Sequence, residues 1–178
     1  MTTEEYLKTP ERLAPAELIY GVLRVADSPL VPHQTAVGDW FLALDAHLRE
    51  HPVGRVFLSP LDIILDEPRA LILQPDLMFV SNERSHIVSD KLRGAPDMVL
   101  EVLSPHPRIG KLHERIEWFA QYDVRECWLV HQGEKSVEVL TFGGRRIVNR
   151  KSFDRLVAVE SHVLPDFHRT PGSILRWT

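Results

Sequence analysis

Carboxylates lie beside apolar runs in this sequence, where a charged group is costly to bury. Glu101 lies inside the run 98–103 (MVLEVL), Asp76 opens the run 77–80, and Glu17 precedes a third run. Continuous apolar runs indicate strands buried on both faces, where a carboxylate must be paired, hydrogen-bonded or bound to a cation. Oxygen ligands of this kind suit Mg²⁺ or Mn²⁺, which are commonly held by one or two carboxylates with waters and substrate phosphate. The sequence therefore predicts a divalent-metal site.

Cationic residues follow Glu101 in the next loop and helix. Arg108 precedes Lys111 and Arg115, which are four residues apart and so share one face of the predicted helix. These cations could neutralise charge that develops on a phosphate. Plainer interpretations stay open: Glu101 can pair with an arginine, Asp76 can cap a turn, and the cations can lie on a solvated helix face.

A rival metal motif lies at residues 47–51, where H-x-x-E-H matches the inverted zinc-peptidase pattern. The pattern needs both histidines on one helical face, and Pro52 disfavours a helical backbone at His51. We therefore expect the match to be accidental. Cys127 is the only cysteine and lies in an apolar run, so we expect a buried apolar role for it.

Helices and strands that position these residues can be predicted from apolar spacing and prolines. A short helix after Thr3 is expected to stop at Pro10, and amphipathic helices are predicted at 34–50 and 111–122. The predicted strands are 17–26 (a pair or one long strand, with a kink at Gly21), 55–58, 61–65, 70–73, 77–80, 98–103, 127–130, 136–142, 145–149 and 156–160. This order predicts an α/β (α+β) fold with a mixed central β-sheet, flanking helices and extra β-hairpins. The proline-interrupted C-terminal stretch is expected to wrap the surface.

Length and composition limit the classes of protein. The 178 residues predict a single domain over 1–178, and one cysteine excludes a disulfide framework or a cysteine-rich metal site. We expect a cytoplasmic protein without a membrane segment, because no apolar run reaches about 18 residues and the acidic start is unlike a secretory signal. The net charge of −4 argues mildly against tight non-specific binding to nucleic acid.

Several of these segments together resemble the bacterial Uma family of restriction endonuclease-like proteins, within the PD-(D/E)XK nuclease superfamily. The resemblance spans roughly residues 3–175. The matching segments are ELIYG at 17–21, Pro32-His33-Gln34, QPDLMFV at 74–80, PDMVLEVLSP at 96–105, the helix ending in FAQYDV, ECWLV at 126–130 and LPDF at 164–167.

The resemblance implies a restriction-endonuclease-like core and Mg²⁺-dependent hydrolysis of phosphodiester bonds. Asp76 would be the first acid and Glu101 the second, and the Val102 carbonyl would complete the metal ligands. Glu17 and Gln34 match positions near that pocket. The implied partner is nucleic acid, DNA above all. A homodimer or higher homo-oligomer is also implied, since superfamily enzymes commonly dimerise.

The chain departs from the family pattern at its basic residue. The superfamily's lysine normally stands two residues after the second acid, where this chain has Leu103. In the family the usual helix pattern is an Asp with a Lys four residues later, and here Lys111 and Arg115 stand in those positions. An arginine stabilises anionic charge but cannot act as a base. Two hypotheses follow: an active metal-dependent nuclease, or a catalytically inactive nuclease fold that binds nucleic acid or protein.

Overall fold

Two β-sheets and four α-helices make up the part of the chain that is described, residues 1–10, 14–104 and 111–176 of a computed structural model. The α-helices are α1 (Thr3–Leu7), α2 (Val31–Glu50), α3 (Leu112–Gln121) and α4 (Pro171–Ile174), with a 3-10 helix at Asn82–Ile87. The strands are β1 (Ala16–Ile19), β2 (Val22–Val25), β3 (Gly54–Leu58), β4 (Ile63–Asp66), β5 (Leu71–Leu73), β6 (Leu77–Ser81), β7 (Leu92–Arg93), β8 (Met98–Val102), β9 (Glu126–His131), β10 (Ser136–Gly143) and β11 (Arg146–Phe153).

The larger sheet has six strands in the order β11-β10-β9-β8-β6-β3. Its neighbours pair antiparallel except β8 and β9, which run parallel. Parallel neighbours need a crossover connection, and α3 lies in the chain between these two strands. The strand that carries Glu101 therefore leads directly to the helix that carries Arg115.

The smaller sheet has five strands in the order β2-β1-β5-β4-β7. Its first hairpin turns at Tyr20 and Gly21, whose φ angles are +49° and +84°. Two successive positive φ angles are typical of the type I′ turn that joins antiparallel strands tightly. Of the two alternatives expected for 17–26, the structure has the strand pair, and β4 pairs antiparallel with β5.

The six-stranded sheet is covered on both faces. On one face α2 and the C-terminal segment form a core in which the rings of Trp40, Trp128 and Phe167 lie 5.5–6.4 Å apart. On the other face lie α3 and the five-stranded sheet. The outer face of the smaller sheet packs against Tyr6 of α1. Mixed sheets flanked by helices confirm the predicted fold class, with the strands divided between two sheets.

The C-terminal stretch differs from the prediction. Residues 156–160 form no strand, and Leu164, Phe167 and Leu175 are fully buried in the core instead of lying on the surface. Prolines interrupt regular structure but do not prevent apolar side chains from packing. The buried carboxylate of Glu126 holds the segment, because it accepts hydrogen bonds from the backbone N–H of His162 and from the hydroxyl of Ser161.

Three smaller expectations concern the helices and the single cysteine. The helix predicted at 34–50 begins at Val31, with Pro32 in the first turn, where its missing N–H costs nothing. His51 leaves the helix, with φ −124° and ψ 84°, as expected from Pro52. Cys127 is fully buried in β9, as predicted.

In the described ranges, no helix has both the length and the apolar character needed to cross a membrane.

Candidate functional site

Strand register brings the two predicted acids together. Strands β6 and β8 pair Leu77 with Leu100 and Met78 with Val99, so one further step places Asp76 opposite Glu101. Residues opposite each other in adjacent strands have Cβ atoms roughly 4.5–5.5 Å apart. The backbone N–H of Val102 also donates to Asp76 Oδ2 at 2.8 Å. The two carboxylates therefore project from the same face at the end of the paired segment.

Glu17 reaches the same place from the other sheet. Alternation along β1 turns Leu18 to the outer core and Ile19 to the core between the sheets. Glu17 therefore faces inward with Ile19, and its side chain is only 1% exposed. Its Oε1 accepts a hydrogen bond from the backbone N–H of Gln74 at 2.7 Å.

Arg115 of α3 links two of the carboxylates. Its Nη1 donates to both oxygens of Glu17 at 2.7 Å, while Nη2 and Nε donate to Glu101 Oε1 at 2.6 and 3.1 Å. Its guanidinium carbon also lies 5.7 Å from the centre of the Phe119 ring. The side chain is 9% exposed, so the planar guanidinium is a buried cation shared by two acids.

These groups line a cleft of about 330 Å³ between the two sheets and the start of α2. It brings together six of the residues selected from the sequence, Glu17, Gln34, Asp76, Glu101, Val102 and Arg115. Lys111 does not join them: it is exposed, at the start of α3, and lies outside the cleft lining. Arg108 lies outside the described residues.

The charges in the cleft do not balance. Along its described lining, the carboxylates of Glu17, Asp76 and Glu101 face the guanidinium of Arg115. Burial raises the pKa of Glu101 to about 7, an effect that Arg115 opposes and that Asp76 and Glu17 reinforce. Burial lowers the pKa of Arg115, but the negative charges of Glu101 and Glu17 raise it by more, so its pKa lies above the usual value. The site therefore favours an additional proton or a cation.

The donor atoms fit a hard divalent ion. No cluster of three or more His, Cys, Asp or Glu side chains suitable for a metal occurs among the described residues, so a ligand set made only of such side chains is not built there. Mg²⁺ instead keeps several waters and needs only one or two carboxylates. Asp76 and Glu101 could meet that requirement, and the excess of negative charge in the cleft is what an ion would balance.

Sequence reasoning missed two contributors to the site, His33 and Gln74. His33 is 7% exposed and its Nε2 lies 3.3 Å from Asp76 Oδ2. A signal existed in the sequence, because His33 is four residues before Val37 and extends the apolar stripe of α2 by one turn. Gln74 is fixed by its amide, which donates to the buried Asp62 at 2.7 Å and accepts from the backbone of Ala16. No sequence pattern marked that bridge.

The raised pKa of Glu101 predicts a pH-dependent stability. Between about pH 4.5 and 7 the folded chain holds a proton on Glu101 that the unfolded chain has released, so the free energy of unfolding should fall as pH rises. Glu101→Gln removes this effect. The quantity compared is the free energy of unfolding of the variant minus that of wild type. We expect this difference to increase from pH 4.5 to 7 by at most about 1.4 kcal/mol per pH unit, and to stay constant above pH 7.

Urea unfolding at several pH values in EDTA measures this difference. The control is Glu83→Gln at a carboxylate that is 80% exposed, for which the difference should stay within about 0.5 kcal/mol at every pH. A difference between Glu101→Gln and wild type that is independent of pH would contradict the assignment.

The histidines of the H-x-x-E-H motif, His47 and His51, lie at the C-terminal end of α2. The rings of His47 and His51 stack with centroids 4.7 Å apart, and the Phe167 ring meets His47 edge-on. Burial lowers the pKa of His47, and the neighbouring His51 lowers it further. The two imidazoles therefore lie side by side at the end of α2, and no group of three or more His, Cys, Asp or Glu side chains suitable for a metal includes them in the part of the chain that is described.

Comparisons with known proteins complete the description. A family model, Uma2, described as "Putative restriction endonuclease", matches residues 3–172. A crystal structure of a putative nuclease belonging to DUF820 from Anabaena variabilis ATCC 29413 is similar over 99% of this chain and 98% of that chain, with a TM-score of 0.81 and 20% identity. At that identity the likeness concerns the fold alone. Curated proteins give no match.

Proposed function

The chain belongs to the Uma2 family, as its sequence resemblance predicted, and on this premise we propose that it is a metal-dependent nuclease that hydrolyses phosphodiester bonds of nucleic acid. One observation carries the proposal: Asp76 and Glu101 face each other across adjacent strands in a cleft whose negative charge exceeds its positive charge. Phosphodiester hydrolysis needs a cation at such a point, because the reacting phosphate is itself anionic.

Mg²⁺ or Mn²⁺ would be held by Asp76, Glu101 and the main-chain carbonyl of Val102. The N–H and carbonyl of one strand residue point to the same side, and the Val102 N–H is directed to Asp76. Its carbonyl therefore faces the same edge of β8. When bound, the ion would polarise the phosphate and lower the pKa of an attacking water.

The chain's own residues supply orientation and charge. Arg115 presents a cation that stays protonated, so it can stabilise developing negative charge but cannot accept a proton. Glu17 holds that guanidinium through two hydrogen bonds, and Gln74 holds Glu17. Gln34 is exposed on the cleft lining, where its amide can contact a substrate.

A second candidate function is that of an inactive nuclease fold that binds nucleic acid or protein. The pairing of Arg115 with two carboxylates favours it, because a guanidinium held at 2.6–2.7 Å by Glu17 and Glu101 is less available to a phosphate. In this reading Arg115 serves the fold as a substitute for a bound cation.

A cleavage assay tests the nuclease function. Purified full-length protein is incubated with supercoiled plasmid, linear duplex and single-stranded DNA in Mg²⁺, Mn²⁺ or EDTA. We expect cleavage of at least one form with a divalent ion and none in EDTA, because a bound ion would lower the pKa of the attacking water at neutral pH. Absence of cleavage under every condition contradicts an active nuclease.

The double variant Lys111→Asp with Arg115→Lys separates the two functions if wild type is inactive. These substitutions restore the usual family residues at both positions. Recovered cleavage would mean that the chain is a nuclease weakened by its basic residue. Continued inactivity, together with retained binding of a labelled oligonucleotide or a partner protein, would favour the binding module.

A further inference from the structure

Asp76 receives contacts from two different elements on one of its oxygens. The Val102 N–H of β8 donates to Oδ2 at 2.8 Å, and Nε2 of His33, in the first turn of α2, lies 3.3 Å from the same oxygen. His33 is 7% exposed and lines the cleft. We propose that His33 is a positioning residue, which orients the carboxylate of Asp76 for metal binding. This inference rests on the proposed function, because Asp76 is expected to hold the ion.

The surroundings of the His33 imidazole indicate which of its two nitrogens carries the proton. Within the described ranges, the buried Nδ1 of His33 has no hydrogen-bond partner. A neutral imidazole carries one N–H, and a proton on Nδ1 would leave a buried donor without an acceptor. A proton on Nε2 instead points to Asp76. The favoured form therefore has its N–H at Nε2, which makes His33 a donor to Oδ2.

The Val102 N–H and the imidazole Nε2 both lie at Oδ2, which leaves Oδ1 outside these contacts. A carboxylate held in one orientation loses little rotational freedom when it binds an ion, so its partners raise metal affinity without touching the metal. His33 is suited to this task because the helix fixes its backbone and Val37 extends the same buried stripe. The next residue, Gln34, is exposed. Helix α2 therefore presents His33 to the carboxylate of Asp76 and Gln34 to the opening of the cleft.

A purely structural role for His33 makes different predictions. Glutamine places its amide nitrogen as many bonds from Cα as imidazole Nε2, whereas asparagine places it at the position of Nδ1. His33→Gln therefore keeps the donor to Asp76, His33→Asn moves it away, and His33→Leu retains only packing. If packing were the whole role, affinity for metal would follow the volume of the side chain instead of the position of its donor.

Calorimetric titration of Mn²⁺ into metal-free full-length protein tests the inference. We expect His33→Gln to bind nearly as tightly as wild type and both His33→Asn and His33→Leu to bind about 10–100-fold more weakly. Equal affinity of His33→Leu and wild type would overturn it, as would equal losses in all three variants. If His33→Leu fails to fold, the comparison of glutamine with asparagine decides alone.

Failure of the proposed function is visible separately, because wild type would then bind no Mn²⁺. A readout without metal completes the test: the ¹⁵N spectrum of the metal-free protein should show His33 with its proton on Nε2. A proton on Nδ1 would overturn the inference whatever the metal affinity.

Discussion

Replacement of Asp76 with asparagine is expected to reduce Mn²⁺ affinity by at least roughly a hundredfold and to remove metal-dependent cleavage. Loss of a group that only supports a ligand costs about 10–100-fold, and loss of a ligand charge should cost no less. Asparagine keeps the size of the side chain and an oxygen that can accept from Val102, so the strand contact at 2.8 Å can survive. Glu101→Gln should have the same effect, because it removes the negative charge of the second carboxylate, which faces Asp76 across the strands.

The measurement combines Mn²⁺ calorimetry with the cleavage assay on the same preparations. Asp45→Asn is the matched control: Asp45 lies on α2 and pairs with the exposed Arg49, away from the cleft lining. We expect the control to match wild type in both assays. Wild-type Mn²⁺ affinity in both Asp76→Asn and Glu101→Gln would refute the proposed metal site.

Arg115→Met is expected to destabilise the fold by about 3–5 kcal/mol, the range for removing one partner of a buried ion pair. The loss leaves Glu17, 1% exposed, and Glu101, 13% exposed, without the guanidinium that they share. For a chain of this length that corresponds to a decrease in Tm of roughly 6–20 °C. The effect should be larger at pH 8 than at pH 5, since protonation removes the unpaired charges.

Thermal and urea unfolding of metal-free protein measure this loss. Arg49→Met is the control, because Arg49 is 77% exposed in its pair with Asp45 and its removal should cost less than about 1 kcal/mol. Adding Glu17→Gln to Arg115→Met should restore part of the stability, since one unpaired charge disappears. Equal stability of Arg115→Met and wild type at pH 8 would show that the pair contributes nothing to folding.

The acids of the site were predictable because burial of charge is visible in a sequence. Glu101 and Asp76 interrupt or open apolar runs, and the physical cost of that placement holds whatever the fold. Most helices and strands were predictable for a similar reason, since apolar spacing and prolines act locally. The C-terminal segment was predicted wrongly because irregular backbone carries no periodic pattern, although Leu164 and Phe167 are core residues.

The relative placement of these groups was decided by tertiary structure. Register alone sets Asp76 opposite Glu101, and a slip by one residue would turn one of them to the other face. The pair between Glu17 and Arg115 joins residues 98 positions apart in two layers, which no local spacing encodes. His33 and Gln74 became visible as parts of the site only through their contacts. The sequence by itself determined which groups need a partner, because the cost of desolvation depends on residue type and apolar surroundings. Only the packing of two sheets and two helices decided which partner each group has.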